Sequence, residues 1–340
     1  MMNFSNQLLN RKNKVMKKII LGIDISKKTL DICVKEGLEV KHQTIENKIQ
    51  VIKSFLKKYS SENVILAMEN TGRYNWNLYE VLENFNFKVY VISPLHLKKS
   101  IGLTRGKNDI IDALRICDFI EKNHEQMPLW KACPASIKKI KILLTERALR
   151  IKMKKQLMVQ QYDYKLMKNL EIDKQLVSLN KKMISSIENQ IKNIENHIEQ
   201  IICNDEKLNV QQKLIKSVPG VGKVLSWTLL SKTEGFTTIT DPRKMACYSG
   251  VAPFDFESGT SVRRRPKVSM LADKGVKTIL QMAAMSAIRL DNDLRKYYIR
   301  KVAEGKNKMS VLNAIRNKII HRVFAVIKNQ TPYQKDLVLS

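Results

Sequence analysis

At 340 residues, with 44% apolar and 27% charged side chains, the chain is long enough for two modest domains and a substantial core. It has no run of about 18 apolar residues, and the basic segment 1–18 lacks the apolar stretch of a signal peptide, so neither membrane insertion nor export is expected and the compartment reads as cytoplasmic. Lys and Arg number 61 against 32 Asp and Glu, and the resulting charge of +29 favours polyanionic partners, nucleic acid above all.

The first element is a buried strand, Lys18–Ser26, with one carboxylate, Asp24, near its end. An acid there needs a partner, most often a metal or a phosphate-bearing ligand. Thr29–Val34 and Val40–Ile45 read as two further strands spaced tightly enough for an antiparallel meander. A helix is predicted over Asn47–Tyr59, a buried strand over Asn63–Met68 ending on Glu69, a helix around Trp76–Phe85, a strand over Lys88–Ile92, and a break at Pro94. The order β-β-β-α-β-α-β-α matches ribonuclease-H-like folds, in which the first and fourth strands are neighbours; by that analogy Asp24 and Glu69 meet.

Arg105–Ala113 opens a helix running to about Glu121, on which Asp109 and Asp112 share a face while Asp118 falls about half a turn away. Alone, the pair reads as an N-cap and a first-turn acid favoured by the helix dipole. With Asp24 and Glu69 it makes four convergent carboxylates, a ligand set for Mg²⁺ or Mn²⁺ in phosphodiester cleavage. Five cysteines (Cys33, Cys117, Cys133, Cys203, Cys247) form no C-x-x-C pair and are expected to be reduced thiols.

Residues 136–207 contain no Gly or Pro, and Leu176, Leu179, Met183, Ile187, Ile191, Ile194, Ile198 and Ile201 form a stripe along a helix. Its partner is either the preceding helix folded back or the same helix of a second subunit. Val218-Pro219-Gly220-Val221-Gly222-Lys223 resembles a helix-hairpin-helix turn, whose helix N-terminus offers free N–H groups to phosphate; an ordinary tight turn is the competing reading. Further on, Ser258 and Ser261 lead into Arg263, Arg264 and Arg265, guanidinium groups suited to phosphate oxygens. No histidine stands near as a base, so Ser258 also reads as a turn residue in a phosphate-binding loop. The helices after it are basic and are expected to pack the domain and grip DNA.

Taken together, Gly22-Ile23-Asp24, Ala67-Met68-Glu69-Asn70-Thr71-Gly72, Asn108-Asp109 with Asp112, the Val218–Gly222 turn, Tyr248-Ser249-Gly250 and Glu257-Ser258-Gly259-Thr260 resemble, in order, the DEDD transposases of the insertion-sequence family numbered one-ten, which include the Piv-type DNA invertases. The resemblance spans roughly residues 19–290 and implies a basic extension over 1–18, a RuvC-like α/β domain over 19–130, a helical, coiled-coil connector over 136–208, and a mostly helical transposase domain over 212–330. It further implies divalent metal on Asp24, Glu69, Asp109 and Asp112 and a covalent nucleophile at Ser258, with Ser261 the alternative; the turn and the arginine run place nucleic-acid contacts at Gly220, Gly222, Lys223 and Arg263–Arg265. Implied partners are element and target DNA, a structured bridge RNA, and further copies of the chain in a dimer assembling to a tetramer, acting at a prokaryotic nucleoid. The run Ser269-Met-Leu-Ala-Asp-Lys274-Gly275 departs from the family's usual Ser-Lys-Arg-Gly. Competing readings are a RuvC-like nuclease acting by hydrolysis, an actin-like ATPase suggested by Gly22–Ser26, and a nucleic-acid-binding protein without catalysis.

Overall fold

The computed structural model describes residues 18–59, 63–101, 109–166, 172–258 and 262–334. Two compact units divide the chain, Met1–Ala132 and Cys133–Ser340.

In the first unit, strands β1 (Ile19–Ile25), β2 (Thr29–Glu36), β3 (Glu39–Glu46), β4 (Val64–Glu69) and β5 (Lys88–Ile92) form one sheet in the order β3-β2-β1-β4-β5. β1 runs antiparallel to β2 and parallel to β4, and β4 is parallel to β5, which is the ribonuclease-H-like arrangement. Near-continuous apolar runs in β1 and β4 follow from burial on both faces. One face, with Leu21, Ile23, Leu66 and Met68, packs on helices α1 (Ile49–Leu56) and α2 (Trp76–Leu82). The other, with Ile20, Ile65, Ala67 and Ile92, packs on Ala113, Ile116, Cys117 and Ile120 of a later helix. At Pro94 the chain does not simply break: helix α3 (Pro94–Ile101) begins there, since proline at a first helical position forfeits no hydrogen bond. That later helix is α4 (Asp109–Asn123); the expected opening residues Arg105–Asn108 lie outside the described residues.

In the second unit, α5 (Ala135–Leu166) folds back on α6 (Asp173–Cys203). Arg147 Nε bonds Glu195 at 2.7 Å, Arg150 Nε bonds Gln190 at 3.0 Å and Lys154 pairs with Glu188 at 2.6 Å. One number rises as the other falls, so the hairpin is antiparallel and the preceding helix is the stripe's partner. Ile137, Ile140, Ile198 and Ile202 at its base share one core with the helices that follow. Its distal half leaves Leu149, Met158, Val159, Tyr162, Leu166, Leu179 and Met183 exposed.

Helices α7 (Glu206–Ser217) and α8 (Lys223–Thr233) flank the Val218–Gly222 turn. Trp227 of α8 is buried, its Nε1–H donating to Glu199 at 3.0 Å. After α9 (Pro242–Tyr248), β6 (Phe254–Ser258) and β7 (Val262–Lys267) make a two-stranded ribbon; α10 (Lys274–Ala287), α11 (Asp293–Ala303) and α12 (Lys308–Asn329) complete the unit. Among the described residues, no helix is long and apolar enough to cross a membrane.

Candidate active site

Side chains alternate faces along a strand. In β1, Ile20 belongs to the core under α4, so Gly22 and Asp24 project to the same side; in β4, Ile65 and Ala67 do likewise and carry Glu69 with them. β1 and β4 pair in parallel up to Ile23 and Met68. The next residue on each strand is therefore an acid, and Asp24 and Glu69 stand side by side at the C-terminal edge of the sheet, facing α4.

What brings α4 within reach is Gly22. A Cβ there would lie 2.4 Å from the Ala113 carbonyl oxygen and 2.7 Å from Cys117 Sγ, so only glycine allows so close an approach. Asp112 precedes Ala113, and Asp109 is one turn earlier. Carboxylate oxygens of Asp24, Asp109 and Asp112 consequently lie within 4.8 Å of one another. Glu69 stands outside that set, as its strand neighbour. Asp118 does not join it: Lys35 bonds Asp118 at 3.1 Å and Glu121 at 2.6 Å.

Neighbouring groups fix the acids. Asp24 Oδ1 accepts the Ile25 N–H at 3.0 Å, and Arg115 Nη1 donates to Asp112 Oδ1 at 2.7 Å. Behind Glu69, the fully buried Asn75 donates to the Glu69 carbonyl at 2.9 Å and accepts from the Thr71 N–H at 3.0 Å and hydroxyl at 2.6 Å, locking the turn that ends β4. Nothing in the sequence singled out Asn75 or the packing role of Gly22. Their signal was an asparagine six residues after an acid and a glycine two before one, which many turns share.

Burial, followed by the charges of Asp109, Glu69 and Asp112, pushes the Asp24 carboxyl up to about 6. Like charges held this close are relieved by a cation, and the donors are all hard carboxylate oxygens. The residues present therefore fit a divalent metal.

The other expected residues belong to the second unit. Gly220, at φ +84°, lets the turn press against α10, where a Cβ would meet the Ala283 carbonyl oxygen at 2.5 Å. Gly222 is the open N-cap of α8, and the Lys223 ammonium reaches Glu199 at 3.9 Å. Ser258 ends β6 opposite Val262, while Arg263 pairs with Glu257 and Arg264 with Phe256 in the ribbon register; Arg265 follows within β7. Ser261 lies outside the described residues. Asp273, in the run that departs from the family pattern, has a structural task. It caps α10 through the Val276 N–H at 3.0 Å, pairs with Lys232 at 2.8 Å and accepts from the Tyr248 hydroxyl at 3.2 Å.

Two family models match the chain. The DEDD model of IS110 elements, described as a transposase, covers residues 21–161, and the model described as Transposase IS116/IS110/IS902 family covers residues 212–299. A pilin gene-inverting protein of Moraxella lacunata is 26% identical over 334 residues, 94% of this chain and 99% of the relative. Its counterpart in Moraxella bovis is 26% identical over 331 residues, with the same shares of each chain covered. A solved structure described as T. thermophilus RuvC in complex with Holliday junction substrate aligns with 32% of this chain and 96% of its own at 14% identity and a TM-score of 0.24.

Proposed function

Since this chain belongs to the IS116/IS110/IS902 transposase family, we propose that it cuts and rejoins DNA as the recombinase of an insertion sequence, through a covalent serine–DNA intermediate. The observation that carries the reading is the convergence of Asp24, Asp109 and Asp112 within 4.8 Å, with Glu69 on the adjoining strand.

In this reading Asp24, Glu69, Asp109 and Asp112 hold Mg²⁺ or Mn²⁺. The metal, when bound, supplies Lewis-acid stabilisation of the reacting phosphate and activation of the nucleophile. Ser258 Oγ attacks phosphorus; the new P–O bond replaces the one to a departing sugar oxygen. Rejoining reverses the exchange, with a sugar hydroxyl displacing the serine. Because one phosphodiester is exchanged for another, no external energy source is needed. Arg263, Arg264 and Arg265 offset charge on the transferred phosphoryl group, and the amides opening α8, with Gly220, Gly222 and Lys223, hold backbone phosphate.

Two further parts of the proposal concern partners. A structured bridge RNA directs the choice of DNA, consistent with the +29 charge. The exposed apolar residues on the distal α5–α6 hairpin seat a second copy, in a dimer that pairs to a tetramer. A hydrolytic, RuvC-like nuclease is the second reading, favoured by one observation: the acid cluster is assembled wholly within the first unit. The two separate on a plasmid recombination assay containing element DNA, its flanking RNA and Mg²⁺. Ser258→Ala abolishes cutting if serine is the nucleophile and leaves cutting intact if water is.

A further inference from the structure

Arg316, on α12, is 5% exposed and is the one buried cation among the described residues. Other arginines that shelter from solvent face acids: Arg115 meets Asp112, Arg147 meets Glu195, Arg150 meets Glu146 and Arg322 meets Asp293. Among the described residues, Arg316 meets only neutral oxygens. Its Nε and Nη2 both donate to Gln281 Oε1, the former at 2.7 Å, and its Nη1 donates to Asn313 Oδ1 at 3.2 Å. A guanidinium has five N–H donors, so two remain uncommitted. Burial lowers its pKa, the response of a charge without a counter-ion.

The surroundings say where the missing charge belongs. Asn313 Nδ2 donates to the Val251 carbonyl at 2.8 Å, in the segment leading into β6. At the neighbouring residue of that segment, the Lys277 ammonium lies 4.0 Å from where a Cβ on Gly250 would stand. Lys277 is one turn before Gln281 on α10, so one cation from α10 reaches Gly250 and one from α12 is tied to Val251 through Asn313.

We propose that Arg316 and Lys277 form an anion seat beneath Gly250–Val251, which takes a phosphate of the nucleic-acid backbone at the root of the Ser258 strand. The proposal rests on the reading that this chain acts on nucleic acid. A phosphate matches the free N–H pair of the guanidinium and supplies the counter-ion that the fold omits.

The test uses the full-length chain in EDTA, so that binding is read without strand cleavage. Labelled duplex DNA and a labelled RNA hairpin are titrated across a salt series, and thermal midpoints are taken with and without inorganic pyrophosphate. Lys277→Met and Arg316→Met should each weaken one nucleic acid about tenfold, and Lys277→Met should lower the salt slope by about one. Whichever of DNA and RNA is affected identifies the source of the phosphate. Pyrophosphate should raise the wild-type midpoint more than that of either variant. Lys277 is only half-buried, so its variant stays informative if Arg316→Met folds poorly. Wild-type affinity for both nucleic acids in Lys277→Met, with an unchanged pyrophosphate response, overturns the seat. Weakened binding in a protein that never exchanges strands would keep the seat and sink the recombinase reading instead.

Discussion

Asp24→Asn should make the first unit more stable in the absence of divalent metal while removing its activity. The Asp24 carboxyl rises from 3.8 to about 6, through burial and the charges of Asp109, Glu69 and Asp112. Asp24 is partly open to solvent, so screening discounts the shift, and ionised Asp24 weakens the metal-free fold by about 1–2 kcal/mol above pH 6. Asparagine removes that charge at nearly the same volume and can keep accepting the Ile25 N–H. The sign follows from linkage. Between pH 3.8 and 6 the folded state keeps a proton that the unfolded state has lost, so wild-type stability is full below this window and falls as pH rises through it. Hydrogen–deuterium exchange of β1 and β4 peptides in EDTA should show Asp24→Asn protected by about 1–2 kcal/mol more than wild type at pH 8. By pH 3.5 the difference should vanish. Saturating Mg²⁺ should restore wild type by about 2.7 kcal/mol at a hundredfold excess over Kd and leave the variant unmoved. Equal protection at pH 8, or a difference independent of pH, would refute the electrostatic account of this site.

The same shift makes metal binding pH-dependent: titration calorimetry with Mn²⁺ should find about one proton released on binding near pH 5 and none at pH 8. Gly22→Ala must push α4 away from β1, at a cost of about 1–3 kcal/mol; metal affinity should fall with it, whereas Gly37→Ala, in an open turn, should leave that affinity unchanged. Asn75→Ala should cost about 1–3 kcal/mol for the unpaired backbone groups at Glu69 and Thr71, read by denaturant unfolding, and reduce cleavage without touching the acids. Burial pushes the Asp273 carboxyl up, but Lys232, the Val276 N–H and the Tyr248 hydroxyl together hold it below its usual range. Stability from Asp273 is therefore present above the usual range and lost as pH falls through the lowered value, a loss that Asp273→Asn should abolish in an acid-unfolding series.

Most strands and helices of the first unit were legible because they are apolar runs of the right length and period; α3, which starts on a proline read as a break, was not, and β3 is polar and mostly exposed. The acids were legible because charge at the end of a buried strand is costly without a partner. The reason for their convergence was not. Gly22 matters through a backbone approach between residues about ninety positions apart, and local pattern carries no trace of it. The partner of the central stripe was equally open. Two helices with similar apolar spacing pair as well within a chain as between chains, and the choice rests on the register of Arg147, Arg150 and Lys154 against α6. Asp273 read as part of a departure from the family's usual Ser-Lys-Arg-Gly run until its bonds to Lys232, Tyr248 and Val276 gave it a structural role. Arg316 looked like one more basic residue on a basic helix, because burial and the absence of an acidic partner are properties of packing.

The central claim, serine attack assisted by a metal site, is tested most directly by trapping a covalent protein–DNA adduct with purified protein, element RNA, cognate DNA and Mg²⁺. The account predicts an adduct mapped to Ser258 by mass spectrometry and lost in both Ser258→Ala and Asp24→Asn. Cleavage that leaves no adduct and survives Ser258→Ala would contradict it, making the chain a metal-dependent hydrolase with a nucleic-acid-binding second unit.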